Sequence, residues 1–209
     1  MVYDYPVMHT EGNKRYLREF DIEELLFRKS VKITDQRTMD YYKDKVILIT
    51  GGGGSIGSEL CRQLAKMEPA HIIILDIYEN GAYDVQQELK NEYDDSLNLH
   101  VMIASVRDYF RMNQLFEKYK PQIVFHAAAH KHVPLMEDSP YEAVKNNILG
   151  TYNTAFCANE YGVKNFVLLS TDKAVNPTNV MGATKRVCEL VVQHFSKISK
   201  GTKFAAVRF

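Results

Sequence analysis

The segment Thr50-Gly51-Gly52-Gly53-Gly54-Ser55-Ile56-Gly57 stands between an apolar run and a stretch with helical spacing. Within it, Gly51, Gly54 and Gly57 fit the pattern G-x-x-G-x-x-G. The first glycine turns the chain off a strand, and the second lets backbone N–H groups approach a pyrophosphate. The third lets the helix pack closely on the sheet. Ser55 and Ile56 open that helix, whose N-terminus adds unpaired donors and partial positive charge. An ATP-type phosphate loop is excluded, because the sequence continues Gly57-Ser58-Glu59 and has no Gly-Lys-Ser/Thr. Asp76 follows 19 residues after Gly57, at the end of the next apolar run. Its carboxylate suits the hydroxyls of an adenosine ribose and repels a 2′-phosphate. Ile77 and Tyr78 come next and supply no cation to offset that repulsion. The pattern predicts a dinucleotide site that takes NAD in preference to NADP.

The elements that must position these residues alternate along the chain. Short apolar runs occur at Val46–Ile49, His71–Leu75, Leu99–Ile103, Ile123–Phe125, Asn165–Leu169 and Phe204–Val207. Each is nearly continuous, as strands buried on both faces of a parallel sheet are. Helical spacing fills Ser55–Met67, Tyr78–Asn91, Tyr109–Tyr119, Pro140–Tyr161 and Val180–Ser199. Strand and helix in alternation predict a three-layer α/β/α Rossmann fold on a doubly wound parallel sheet, spanning 44–209. Residues 1–43 are polar, carry both charge signs and show one amphipathic patch, Phe20–Leu26. They read as an arm with a short helix. The last apolar run ends beside Phe209, so a substrate-binding part is expected to be absent.

Composition removes several classes of function. Lys+Arg and Asp+Glu both number 26, and the basic residues are scattered, so no field attracts nucleic acid. The longest apolar stretches are strand-sized, far below the roughly 20 residues of a membrane span, and no membrane contact by this chain is expected. Cys61, Cys157 and Cys188 form no metal or disulfide pattern and suit a reducing cytoplasm. His126, His130 and His132 have no acid or Cys at ligand spacing, so no metal is expected.

Several phrases together resemble the extended short-chain dehydrogenase/reductase superfamily. They are the glycine loop, His126-Ala127-Ala128-Ala129 and Asn147-Ile148-Leu149-Gly150-Thr151. Two more, Ala129-His130-Lys131-His132-Val133-Pro134-Leu135-Met136-Glu137 and Ser170-Thr171-Asp172-Lys173-Ala174-Val175-Asn176-Pro177, narrow the likeness. They are similar to the bacterial polysaccharide-biosynthesis branch that acts on UDP-N-acetylglucosamine. The resemblance runs from about Asp21 to the last residue. It implies a tightly held NAD in a closed redox cycle: hydride leaves sugar C4, water is lost across C5 and C6, and the hydride returns to C6. Oxidation at C4 acidifies the C5 proton, so one base and one acid suffice for elimination.

The superfamily's general base is the Tyr of Tyr-x-x-x-Lys, but this sequence reads Met181-Gly182-Ala183-Thr184-Lys185. A thioether cannot accept the proton. Literal matches at Tyr41–Lys45 and Tyr141–Lys145 are decoys, because the first precedes the first strand and the second follows the fourth. Met at this position resembles the large, often membrane-anchored subfamily that retains configuration at C5, and this chain would then be a cytoplasmic part. That resemblance implies Thr171 on the C4 oxygen, Asp172 as the acid at the 6-hydroxyl and Lys173 as the base at C5. Lys185 would hold the nicotinamide ribose. Ser105 and Val106 would lie near the adenine, and Ala127, Ala128 and Ala129 would line the cofactor. His130, Lys131 and Asn176 would face the UDP-sugar, and Asn147 would be structural or position the substrate. Two other readings compete: a UDP-sugar 4- or 5-epimerase on the same fold, and a non-catalytic NAD-binding sensor. Superfamily habit adds a homodimer through Pro140–Tyr161 and Val180–Ser199.

Overall fold

A computed structural model of the chain describes Thr10, Glu11, Lys14, Arg15 and residues 35–209. It comprises two compact units, Met1–Thr38 and Met39–Phe209. In the first, Thr10–Glu11 pairs antiparallel with Lys14–Arg15. The helix expected at Phe20–Leu26 lies outside the described residues. Helix α1 (Gln36–Tyr42) leads into the second unit. Residues 39–42, which the sequence assigns to the arm, group with the domain. There the Tyr42 ring packs 6.2 Å from that of Phe125, and Tyr41 donates its hydroxyl to Asn165 Oδ1 at 2.5 Å.

Six strands form the sheet: β1 (Val46–Thr50), β2 (His71–Asp76), β3 (Leu99–Ile103), β4 (Ile123–His126), β5 (Asn165–Ser170) and β6 (Lys203–Arg208). They lie in the order β3-β2-β1-β4-β5-β6, and every pairing is parallel. The near-continuous apolar runs are explained by this arrangement, because alternate residues of each central strand meet different helix layers. Ile47, Ile49, Ile72, Ile74 and Phe125 pack against α2 (Ser55–Ala65) and α3 (Glu79–Tyr93). Leu48, Ile73, Leu75, Val124 and Phe166 pack on the opposite layer, with residues of α4 (Tyr109–Tyr119), α7 (Gly150–Glu160) and α8 (Val180–Ile198). The expected three-layer Rossmann fold is the fold observed.

Two departures from the sequence reading lie beside the strand ends that matter for function. Val133–Asp138 is a separate helix, α5, entered through Pro134 in its first turn. The single helix expected over Pro140–Tyr161 is instead α6 (Pro140–Ala143), a π-helical turn over Val144–Leu149, and α7. A π turn widens the helix by one residue, which is a common device where a side chain must be re-aimed. Here both Asn146 and Asn147 are buried. Among the described residues, no helix is long and apolar enough to cross a membrane.

Candidate cofactor cleft and active site

The cleft opens at the C-terminal ends of the strands, where β1 and β4 part toward opposite halves of the sheet. Gly51 leaves β1 with φ +72°, and a Cβ there would lie 2.6 Å from the backbone nitrogen of Ala128. The loop therefore runs against the Ala127–Ala129 segment with no room for a side chain. The first bond inside α2 is Ser58 N to Gly54 O at 2.8 Å. The N–H groups of Ser55, Ile56 and Gly57 precede it and are free to meet an anion.

Asp76 is 9% exposed and sits across from this loop. Its carboxylate accepts from Gly53 N at 2.8 Å and Tyr78 N at 2.9 Å. It thus fixes the glycine loop and closes a turn, while still lining a cavity of about 200 Å³ with Ser105, Val106, Ala128 and His130. The donor loop and the fixed carboxylate, with small residues between them, fit an adenine dinucleotide.

A larger cavity, of about 760 Å³, continues from the loop toward β5. Gly51, Gly54, Ser55, Ile56, Gly57, Ala127 and Ala129 line its cofactor side, and His130, Lys131, Thr171, Lys173, Met181 and Lys185 line the remainder. Most residues singled out in the sequence are thus brought to one place. Lys185 is 6% exposed and donates from Nζ to the Leu169 carbonyl at 2.7 Å. Burial pushes its ammonium below the usual lysine range. Met181 packs with Met136 and Ala143 and also borders the cavity.

Two expected site residues line neither cavity, and a third, Asn147, takes the structural place that was one of its two expected readings. Asn147 is fully buried: its amide nitrogen donates to His130 O and Thr184 Oγ1, and its oxygen accepts from His130 N. It clamps the loop after β4 to α8 and is closed off from any substrate. Asn176 stands at φ +47° on an exposed turn outside the lining of either cavity. Asp172 likewise lines neither, and its side chain is 73% exposed. Its carboxylate accepts from Thr171 Oγ1 at 2.9 Å and Lys173 Nζ at 3.1 Å. Those two bonds hold it below the ordinary carboxylate range.

Sequence reasoning missed Tyr78, Leu135 and Met136 as lining residues. Tyr78 carried a signal, since an aromatic directly after the ribose-facing carboxylate is well placed to wall the cleft. Met136 carried none, because its turn was not read as a helix.

His126 is held inside the core and away from the cleft. It is fully buried, with Nδ1 2.7 Å from Thr50 Oγ1 and Nε2 3.0 Å from Thr151 Oγ1. Both ring nitrogens are engaged by hydroxyls. Burial, helped by the nearby Lys185, pushes its pKa down to about 3. The folded state therefore stays neutral where an unfolded histidine, at about 6.5, takes a proton. Stability supplied this way is complete above about pH 6.5 and is lost as pH falls toward 3. Urea unfolding between pH 6.5 and 4.5 should show His126 contributing about 1.4 kcal/mol per pH unit, a slope that His126→Gln removes.

The polysaccharide biosynthesis protein family model matches residues 47–209. The probable polysaccharide biosynthesis protein EpsC of Bacillus subtilis is 49% identical over 193 residues, covering 92% of this chain and 32% of EpsC. The inverting UDP-N-acetylglucosamine 4,6-dehydratase of Campylobacter jejuni (strain 81-176) is 37% identical over 80% of this chain and 49% of its own length. Among solved structures, the UDP-Glc/GlcNAc 4-epimerase of Campylobacter jejuni superposes with TM-score 0.72 at 26% identity, over 78% of this chain and 52% of that one. Bordetella bronchiseptica WbmG, solved with NAD and UDP, gives TM-score 0.62 at 25% identity, over 78% and 51%. The chain thus spans about a third to a half of the relatives it matches.

Proposed function

The chain belongs to the polysaccharide biosynthesis protein family, and from that premise we propose that it is an NAD-dependent UDP-N-acetylglucosamine 4,6-dehydratase. The observation that carries the reading is the convergence on one cavity of the glycine loop, Lys185, Thr171 and Lys173, with Met181 at the helix position where the superfamily's phenol stands. When bound, NAD supplies a hydride acceptor and donor.

The residues of the chain do the rest. The loop N–H groups and Asp76 hold the dinucleotide, and Lys185 orients the ribose nearest the chemistry. Thr171 hydrogen-bonds the C4 oxygen of the sugar. Lys173 removes the C5 proton once C4 is a ketone. The proton it gains goes to the leaving 6-hydroxyl, so that water departs, and once C6 has received hydride C5 takes its new proton from solvent. Asp172 orients Lys173 and Thr171 instead of donating the proton itself.

The epimerase reading is supported by the superposition on a 4-epimerase at TM-score 0.72. Oxidation at C4 releases the O4 proton in dehydration and epimerisation alike, so the thioether of Met181 does not separate the two readings; Lys173 beside the cavity favours elimination, which needs a base at C5. Incubation with NAD and UDP-N-acetylglucosamine separates the readings by mass spectrometry. A product lighter by one water supports dehydration. An isomer of unchanged mass supports epimerisation, and unaltered sugar with NAD bound supports a binding module.

Cofactor choice tests Asp76 independently. Replacing it with Ser should weaken NAD by about tenfold, the worth of one hydrogen bond to a charged acceptor, and narrow the gap to NADP. Calorimetric titration with both dinucleotides reads this directly.

A further inference from the structure

Glu189 lies outside the cleft, yet it is one of the most heavily engaged carboxylates among the described residues. It is 8% exposed and follows Lys185 by one helical turn on α8. Ser170 Oγ donates to its Oε1 at 2.7 Å. Arg208 donates from Nε to Oε1 at 2.7 Å and from Nη2 to Oε2 at 2.6 Å, and Arg186 donates to Oε2 at 3.0 Å.

The position of these partners matters more than their number. Lys185 grips the carbonyl of Leu169, and Glu189 grips the next residue, Ser170, so one helix face holds the end of β5 at two successive points. Thr171 and Lys173 follow immediately. Arg208 closes β6, and its neighbour Phe209 accepts at its carbonyl from Asp172 N at 2.9 Å. One carboxylate therefore gathers α8, the end of β5 and the end of β6 behind the cleft.

We propose that Glu189 is a positioning residue, which fixes the Ser170–Lys173 turn and supplies the negative charge that accompanies the buried Lys185. The proposal rests on the reading of Lys185 as a cofactor contact. Around Lys185, burial opposes the ammonium and Glu189 favours it. Cys188 bears on it in the same direction, but that thiol is itself pushed up by burial and stays protonated. Neutral His126 adds no charge. Arg186 and Arg208 face Glu189 and keep it ionised.

The test is NAD affinity of the whole chain from about pH 6 to about pH 10, by calorimetry, with a thermal melt of every variant. Affinity should fall on the alkaline side as Lys185 loses its proton. Glu189→Gln preserves shape and removes charge, and it should move that fall to lower pH by about one unit. Arg208→Gln leaves the charge on Glu189, and it should lower the melting temperature without moving the fall downward. Glu189→Asp keeps the charge and should retain the wild-type limb, so it decides the matter if Glu189→Gln does not fold. A folded Glu189→Gln with an unmoved limb overturns the proposal, as does a downward shift in Glu189→Asp or Arg208→Gln. Lys185→Met is the separate control. If it keeps the alkaline fall, or if the wild type has none, the reading of Lys185 fails in its own right.

Discussion

Lys173→Met is expected to lower turnover of the UDP-sugar by about 10²–10⁴-fold, the usual worth of a positioned general base or acid. Dinucleotide affinity should stay within about twofold, because Lys173 lines the larger cavity only and contributes nothing to the glycine loop or the Asp76 side. The loss should appear in the chemical step. Hydride transfer from C4 precedes proton removal at C5, so a pre-steady-state trace of the variant should still show a burst of reduced cofactor. Asp172→Asn should do much less, since that side chain is 73% exposed and acts through its bonds to Thr171 and Lys173. If the two variants lost activity equally, the division of labour between them would be wrong.

Gly57→Ala is expected to abolish dinucleotide binding altogether. A Cβ at Gly57 would stand 2.1 Å from Gly51 O and 2.8 Å from both Gly51 C and Gly52 Cα. Those contacts are backbone, and no side-chain rotation relieves them. Either α2 retreats from the sheet or the glycine loop unfolds, and each takes the N–H groups of Ser55, Ile56 and Gly57 away from the phosphate position. Overpacking of this kind costs about 1–3 kcal/mol, so the melting temperature should fall as well. Gly54→Ala is the contrasting variant. Its Cβ would meet only Gly51 O, at 3.3 Å, and φ there is −78°. Fluorescence titration with NAD should show measurable, weakened binding for Gly54→Ala and none for Gly57→Ala.

The sheet was legible in the sequence because strands buried on both faces must be apolar at nearly every position. Val46–Thr50 and His71–Asp76 are such strands, and their ends fell within one residue of the sequence reading. The glycine loop was legible for a steric reason, since Gly51 and Gly57 have no room for a Cβ and stand at a fixed spacing. The region after β4 was not legible. Pro140–Tyr161 has ordinary helical spacing, and nothing in it marks the π turn over Val144–Leu149. That turn is explained by tertiary partners far along the chain, His130 and Thr184, which receive the Asn147 amide. The same holds for Glu189, whose partners Ser170 and Arg208 are each 19 residues away. Asp172 shows the opposite failure. The motif names the residue, but its direction depends on a turn held by Phe209, which no motif encodes.

The central claim, that this cleft removes water from a UDP-sugar with Lys173 acting at C5, is tested most directly by running the reaction in heavy water. UDP-N-acetylglucosamine and NAD would be supplied to the chain, and the product examined by mass spectrometry and NMR. The account predicts a 4-keto-6-deoxy product that has lost one water and carries solvent deuterium at C5, formed by the wild type and not by Lys173→Met. A sugar that has lost no water, epimerised at C4 with unchanged mass or at C5 with one deuterium gained, would contradict it, as would a dehydrated product made equally well by the Lys173 variant.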